Sequence, residues 1–191
     1  MPLALTERYR YTYNDYLHTP DNGKRWEIID GVPYMMSVPN IRHQSISGKM
    51  FYRLYGFLEG TRCSVFYAPF DVRIPLHDEK DEDVINVVQP DLTVYCNDLG
   101  TDEKGGIAAP DIVIEILSPS TAKMDRLRKF KLYEQAGVKE YWIVDGASGF
   151  VEVYIHDGNK FLRNAYCDEG DIIKSTVLEG FEITIDDIFK E

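Results

Sequence analysis

Two carboxylates and an amine occupy positions that should exclude charge. Glu115 interrupts the apolar run Ile112-Val113-Ile114-Glu115-Ile116-Leu117. Asp91 follows Gln89-Pro90 and heads a second apolar run, Leu92-Thr93-Val94-Tyr95. Lys129 lies on the segment that follows the first run. A carboxylate buried alone is costly unless it is paired or binds a metal. Two of them on neighbouring strands make a hard-cation site for Mg²⁺, with Mn²⁺ as a substitute, if the strands are adjacent and parallel. Such an ion polarises a phosphate and lowers the pKa of bound water. A nearby lysine can orient that water and offset developing charge.

Each residue also has a plainer reading. Asp91 can cap a turn after Pro90, Glu115 can form a buried ion pair with Arg126, and Lys129 can snorkel at a helix–sheet edge. On a helical wheel Lys129 falls with Phe130, Leu132, Tyr133 and Ala136 on the inward face, and Lys131 falls on the solvent side. Arg126 is also inward and could grip a substrate phosphate bidentately. Asp111 shares the alternating side of Glu115 but follows Pro110, where a turn role fits. Glu27 is either a third acid of the site or the cross-strand partner of a basic residue. His43 is either a satisfied helix-end or core residue, or a proton shuttle or phosphate contact.

The elements that must position these groups are legible in outline. Thr12 reads as the N-cap of a short helix over 12–17. Asp30-Gly31 joins two strands, 25–29 and 32–36, as a hairpin. Ile46, Met50, Phe51, Leu54 and Leu58 recur at helical spacing within 40–59. Strands are expected at 64–67, 71–74, 84–88, 91–95 and 111–117. A turn over 118–121 then starts a helix from about Lys123, which ends at Gly137. The strand 140–145, a hairpin of 150–155 with 160–166, and a helical turn at 185–189 complete the chain. Trp26 and Trp142 read as core aromatics. The pattern is α/β, a central mixed β-sheet flanked by α-helices, in a single domain over 1–191.

Bulk properties narrow the function. The 191 residues are 44% hydrophobic, enough for a real core. No run approaches the roughly 18 apolar residues of a membrane span, and residues 1–10 lack the apolar core of a signal peptide. Cys63, Cys96 and Cys167 form no CxxC pair, so neither structural zinc nor a disulfide framework is expected, and a reducing cytoplasm fits. A net charge of −11, from 21 basic and 32 acidic residues, counts against a general nucleic-acid binder. The acidic run 78–83 and the acids near 98–103 read as solvated loops, whereas 123–131 holds five basic residues and one acid.

The stretches Glu27-Ile28-Ile29-Asp30-Gly31, His43-Gln44, Gln89-Pro90-Asp91 and Ile114-Glu115-Ile116-Leu117-Ser118-Pro119-Ser120, followed by Asp125 through Lys129 to Tyr133 and by Ala136-Gly137-Val138-Lys139-Glu140-Tyr141-Trp142-Ile143-Val144-Asp145, resemble the Uma2 family within the PD-(D/E)XK nuclease superfamily. The likeness covers about 13–189. It implies a restriction-endonuclease-like core with the metal site at one sheet edge, Asp91 and Glu115 as metal-binding acids, and Glu27 and His43 as assisting residues. Leu117 stands two residues after Glu115, where the superfamily has lysine. The family resemblance implies that this lysine is displaced to the next helix, as Lys129.

The expected activity is Mg²⁺-dependent hydrolysis of DNA phosphodiester bonds. The acidic balance implies weak or partner-assisted DNA binding. A nuclease-fold interaction module without catalysis, and a metal-dependent hydrolase of small phosphorylated substrates, are the rival expectations. Thirteen tyrosines make a homodimer plausible.

Overall fold

A computed structural model describes residues 9–19, 23–97, 100–118 and 122–190. Most of the expected turn over 118–121 lies outside them. α1 (Tyr13–His18) starts where Thr12 and Asp15 cap each other's amides, a reciprocal box that satisfies two otherwise orphaned donors. Asp30 and Gly31 adopt φ of 53° and 72°, which matches the primed turns that suit strand twist. They fold β1 (Trp26–Ile29) onto β2 (Val32–Met35). α2 (Ile41–Leu58) begins at Asn40, whose side chain accepts from the His43 amide, and it buries Ile46, Met50, Leu54 and Leu58 along one stripe.

β3 (Ser64–Tyr67), β4 (Val72–Arg73), β5 (Val87–Val88), β6 (Leu92–Tyr95), β7 (Thr101–Asp102), β8 (Gly105–Gly106) and β9 (Ile112–Ile116) follow. A π-helical stretch, Met124–Lys129, runs straight into α3 (Phe130–Ala136), which closes at the left-handed Gly137. The rest is β10 (Glu140–Asp145), β11 (Phe150–His156), β12 (Phe161–Cys167), β13 (Ile172–Lys174), β14 (Glu182–Thr184) and α4 (Ile185–Phe189). No described helix is long and apolar enough to cross a membrane.

In place of one central sheet the strands form two six-stranded mixed sheets. One runs β2-β1-β5-β4-β8-β7, the other β12-β11-β10-β9-β6-β3, and β13-β14 is a separate pair. β9 and β10 are parallel, as the intervening helix requires, since parallel neighbours need a crossover. β6 and β9 are adjacent but antiparallel, so of the two conditions set for the acids to meet, adjacency holds and parallel pairing does not. Between these two strands the described part of the chain makes the short β7–β8 hairpin.

The two glycines of β8 gave no strand signal, yet each is required by packing. A Cβ on Gly105 would lie 2.2 Å from the Asp71 carbonyl oxygen, and one on Gly106 would lie 2.1 Å from the Tyr95 hydroxyl.

Alternation along the strands separates two cores. Ile112, Ile114, Ile116, Leu92 and Val94 pack with the α2 stripe and Trp142. Val113, Ile143 and Tyr141 pack on the other side with Leu132 and Tyr133 of α3 and with Ile29, Val72 and Val88 of the first sheet. Trp26 is only half-buried and borders a small cluster around Tyr13. Glu115 shares the parity of Val113, and Glu27 that of Ile29, so the two glutamates face each other between the sheets.

Two sequence expectations change. Cys63 and Cys96 form a disulfide, and Cys167 is free and buried. These cysteines sit one step beyond the Ser64–Tyr95 pair of antiparallel β3 and β6, so the ladder brings together residues far apart in sequence. The acidic loops are also not wholly solvated. Arg73, 1% exposed, donates through Nη1 to both Asp81 oxygens at 2.8 Å and through Nη2 to Asp102 at 2.5 Å. Replacing this ion with Arg73→Met is expected to lower stability by about 1–3 kcal/mol, because it removes charge-assisted bonds while the two half-exposed acids remain hydrated. Urea unfolding measures the change.

Candidate active site

Local rules of the fold bring the charged residues together. In the β6–β9 register Leu92 pairs with Ile114, and one step further Asp91 stands opposite Glu115 at the sheet's end. Opposed residues of antiparallel strands project from the same face. The Asp91 carboxylate oxygen Oδ2 accepts from the Ile116 amide at 2.8 Å, which locks the aspartate across the strand boundary. The helix of the β9–β10 crossover must pass over this face. It lays Asp125, Lys129 and Tyr133, spaced four apart, onto Glu115.

Lys129 is the hub. Its Nζ lies 2.8 Å from Glu27 Oε1, 2.9 Å from Glu115 Oε1 and 3.8 Å from Asp125 Oδ1. The Tyr133 hydroxyl donates to the same Glu115 oxygen at 2.8 Å, and the Gln89 amide donates to Glu27 Oε1 at 2.7 Å. His43, in the first turn of α2, places Nε2 3.1 Å from Asp91 Oδ2. With a carboxylate as acceptor, Nε2–H is the donor. The His43 Nδ1 atom is buried and has no partner among the described residues.

The charges are unequal. Burial acts to lower the pKa of Lys129, but Glu115, Glu27 and Asp125 together outweigh it and hold the ammonium well above lysine's usual value. Burial, joined by Asp125, Asp91 and Glu27, prevails over Lys129 and raises Glu115 well above the usual carboxylate range. Burial also opposes charge on His43, and the contact with Asp91 reverses the balance and raises its pKa. Three acids thus surround one buried ammonium, with Asp91 and its imidazole partner at the edge.

These groups line a cavity of about 140 Å³ together with Arg25, Tyr34, Met35, Pro39, Gln89 and Met124. Among the described residues no three His, Cys, Asp or Glu side chains form a ready metal cage. Mg²⁺ does not need one, because it binds through one or two carboxylates and keeps water in its remaining positions. Protein hydrogen bonds to Asp91 fall on Oδ2 and those to Glu115 on Oε1. Each carboxylate therefore keeps one oxygen without a protein donor among the described residues. That donor set, in a pocket with excess negative charge, fits a hard divalent cation.

Asp91, Glu115, Lys129, Glu27 and His43 meet in one pocket. Arg126 does not line it. Its guanidinium pairs with Glu152 and lies over the Phe150 ring, 5.9 Å from the centroid. The ion pair considered for Glu115 is made by Lys129 instead. Asp111 accepts from the Cys96 amide at 2.7 Å and pairs with Lys139. Tyr133, Asp125, Gln89 and Arg25 also belong to the site, with no role expected of them from sequence. The four-residue spacing of Asp125, Lys129 and Tyr133 was a usable signal for two of them. The main-chain role of Gln89 left none.

The frame and pocket define the class. The fold matches a crystal structure from Anabaena variabilis described as "a putative nuclease belonging to DUF820", with a TM-score of 0.74 and 19% identity over 93% of this chain and 97% of that one. At that identity the match establishes a shared fold. The model of the Uma2 family, described as "Putative restriction endonuclease", matches residues 13–186, and the chain belongs to this family. A relative in Synechocystis, "Uncharacterized protein slr1290", is 26% identical over 170 residues, 87% of this chain and 84% of that protein.

Removing the hub leaves buried acids uncompensated. Lys129→Met is expected to cost about 3–5 kcal/mol, and Tyr133→Phe about 1–3 kcal/mol. The double variant Lys129→Met/Glu115→Gln should lose less than the sum of its single variants, because it removes both charges of one pair. Urea unfolding of the set provides the comparison.

Proposed function

We propose that this protein is a divalent-metal-dependent nuclease that hydrolyses DNA phosphodiester bonds, with Mg²⁺ as the working ion and Mn²⁺ as a substitute. The observation that carries this reading is the opposition of Asp91 and Glu115 across antiparallel strands, each with an oxygen that no described residue donates to, beside the Lys129 ammonium. In this reading Asp91 and Glu115 hold the cation. When bound, the cation supplies Lewis-acid activation of the phosphate and of water.

The remaining roles follow from contacts within the chain. Lys129 is held protonated, so it acts as a hydrogen-bond donor and a positive charge beside the attacking water and the phosphate, and not as a base. Glu27, fixed by the Gln89 amide, sets the position of the Lys129 ammonium. His43 and the Ile116 amide fix the Asp91 carboxylate from two sides, which leaves its other oxygen for the ion. Arg126 is occupied by Glu152 and has no role in the reading. The cavity is small beside the roughly 300–1,000 Å³ of pockets that enclose drug-sized ligands, which favours a polymer phosphate entering at the rim over an enclosed nucleotide. The −11 charge fits weak, strongly salt-sensitive DNA binding, or delivery by a partner.

With Mg²⁺ or Mn²⁺ the purified protein should nick supercoiled plasmid, and Glu115→Gln or Asp91→Asn should reduce nicking by at least about a hundredfold, the scale of losing a key electrostatic group. Variants as active as the parent would exclude this site. Absence of both nicking and metal binding would leave the non-catalytic interaction module.

Metal binding has its own readout. Between the ordinary and the raised pKa of Glu115, the folded metal-free protein holds a proton that the unfolded chain has lost. Stability therefore falls as pH rises through that window. A divalent cation competes with that proton, so the rise in melting temperature with added Mn²⁺ should grow with pH across the same window. A shift that shrinks with rising pH would contradict the assignment.

A further inference from the structure

Arg25 is the one cation lining the pocket that the proposed mechanism leaves unused. It stands two residues before Glu27, and its carbonyl accepts from the Met36 amide at 2.9 Å, so it extends the β1–β2 ladder by one step. By strand alternation its side chain lies on the face of Glu27. Its Nε donates to Gln89 Oε1 at 2.8 Å, and the Gln89 amide holds Glu27. The guanidinium is thus tethered at one nitrogen to the scaffold that positions Lys129.

Its other two nitrogens are uncommitted. Nη2 is buried without a hydrogen-bond partner, and no described residue bonds Nη1 or forms an ion pair with Arg25. Four carboxylates sit in or beside the same pocket, yet none takes this cation. Glu27 and Glu115 are engaged by Lys129, and Asp91 by His43. A guanidinium with unmade bonds at the wall of a pocket is an unfilled anion site, because leaving its donors unpaired costs stability. The fork of two N–H groups matches two oxygens of a phosphate.

We infer that Arg25 grips non-bridging oxygens of a substrate phosphate, making it a substrate-binding residue and a positive contact at the pocket wall separate from the carboxylate-bound Lys129. The inference rests on the proposed nuclease reading for the identity of the phosphate as part of a nucleic-acid backbone. The contact itself requires only a phosphate in the pocket.

The test is equilibrium binding of a fluorescein-labelled, phosphorothioate-linked single-stranded oligonucleotide, which resists hydrolysis, followed by anisotropy with Mg²⁺ across a range of KCl concentrations. Arg25→Gln should bind roughly tenfold more weakly, with the slope of log K against log salt flatter by about 0.7, the loss of one phosphate contact on a single strand. Arg25→Lys keeps the charge but loses the fork, so it should keep the parent slope and still bind more weakly. The slope separates this role from a structural one. A variant that melts earlier but keeps the parent's slope and affinity overturns the proposal. If Arg25→Gln does not fold, parental affinity in Arg25→Lys overturns it instead. Failure of plasmid nicking alongside a flattened slope would reject the nuclease reading and leave the phosphate contact standing.

Discussion

The structure turns on one ammonium enclosed between two sheets. Lys129 is 3% exposed and lies within 3 Å of carboxylate oxygens from both Glu27 and Glu115. Those acids come from different sheets, so the ion is a cross-brace as well as a charge. A buried pair of this kind adds little stability compared with an apolar substitute, but it is expensive to break. It therefore fixes geometry more than it strengthens the fold. Three further contacts hold this brace in place: the Tyr133 hydroxyl on Glu115, the Gln89 amide on Glu27, and Asp125 one turn before Lys129.

The brace is possible because of how the chain passes between β9 and β10. Parallel neighbours require a crossover, and the crossover helix must lie over the face that carries Glu115. A lysine on the inward side of that helix has little choice but to meet the glutamate. The π-helical stretch ends at Lys129 itself. Such widened turns are commonly found at functional sites, and this one sets the register between Asp125 and the regular turns that carry Tyr133.

Much of this was readable from residue order. An acid inside an apolar strand, a second acid at a strand head and an inward lysine on the next helix are local patterns, and they point to Glu115, Asp91 and Lys129 without knowledge of the pairing. The hairpin at Asp30-Gly31, the cap of α1, the apolar stripe of α2 and the end of the helix at Gly137 are equally local. What could not be read depends on pairing between distant segments. The antiparallel sense of β6 and β9, the Cys63–Cys96 disulfide and the splitting of the strands into two sheets all arise from register. The residues of β8 carry no strand propensity and are held by close approach to Asp71 and Tyr95. Arg126 shows the limit of a helical wheel. It points inward as expected, but the nearby acid it meets is Glu152 of β11, which no spacing rule connects to it.

The electrostatics constrain the chemistry further. A lysine held well above its usual pKa cannot accept a proton from water near neutrality, so its contribution must be charge and hydrogen bonding. The same acids that hold it protonated leave the pocket with a negative excess, which an incoming phosphate would meet as repulsion. In the proposed reading, a cation held by Asp91 and Glu115 would offset that excess, and Arg25 would offer a separate positive contact at the wall. On that reading, substrate affinity would depend on the ion being bound. An acidic protein can in this way exclude phosphates from its resting pocket and admit them once the cation is in place.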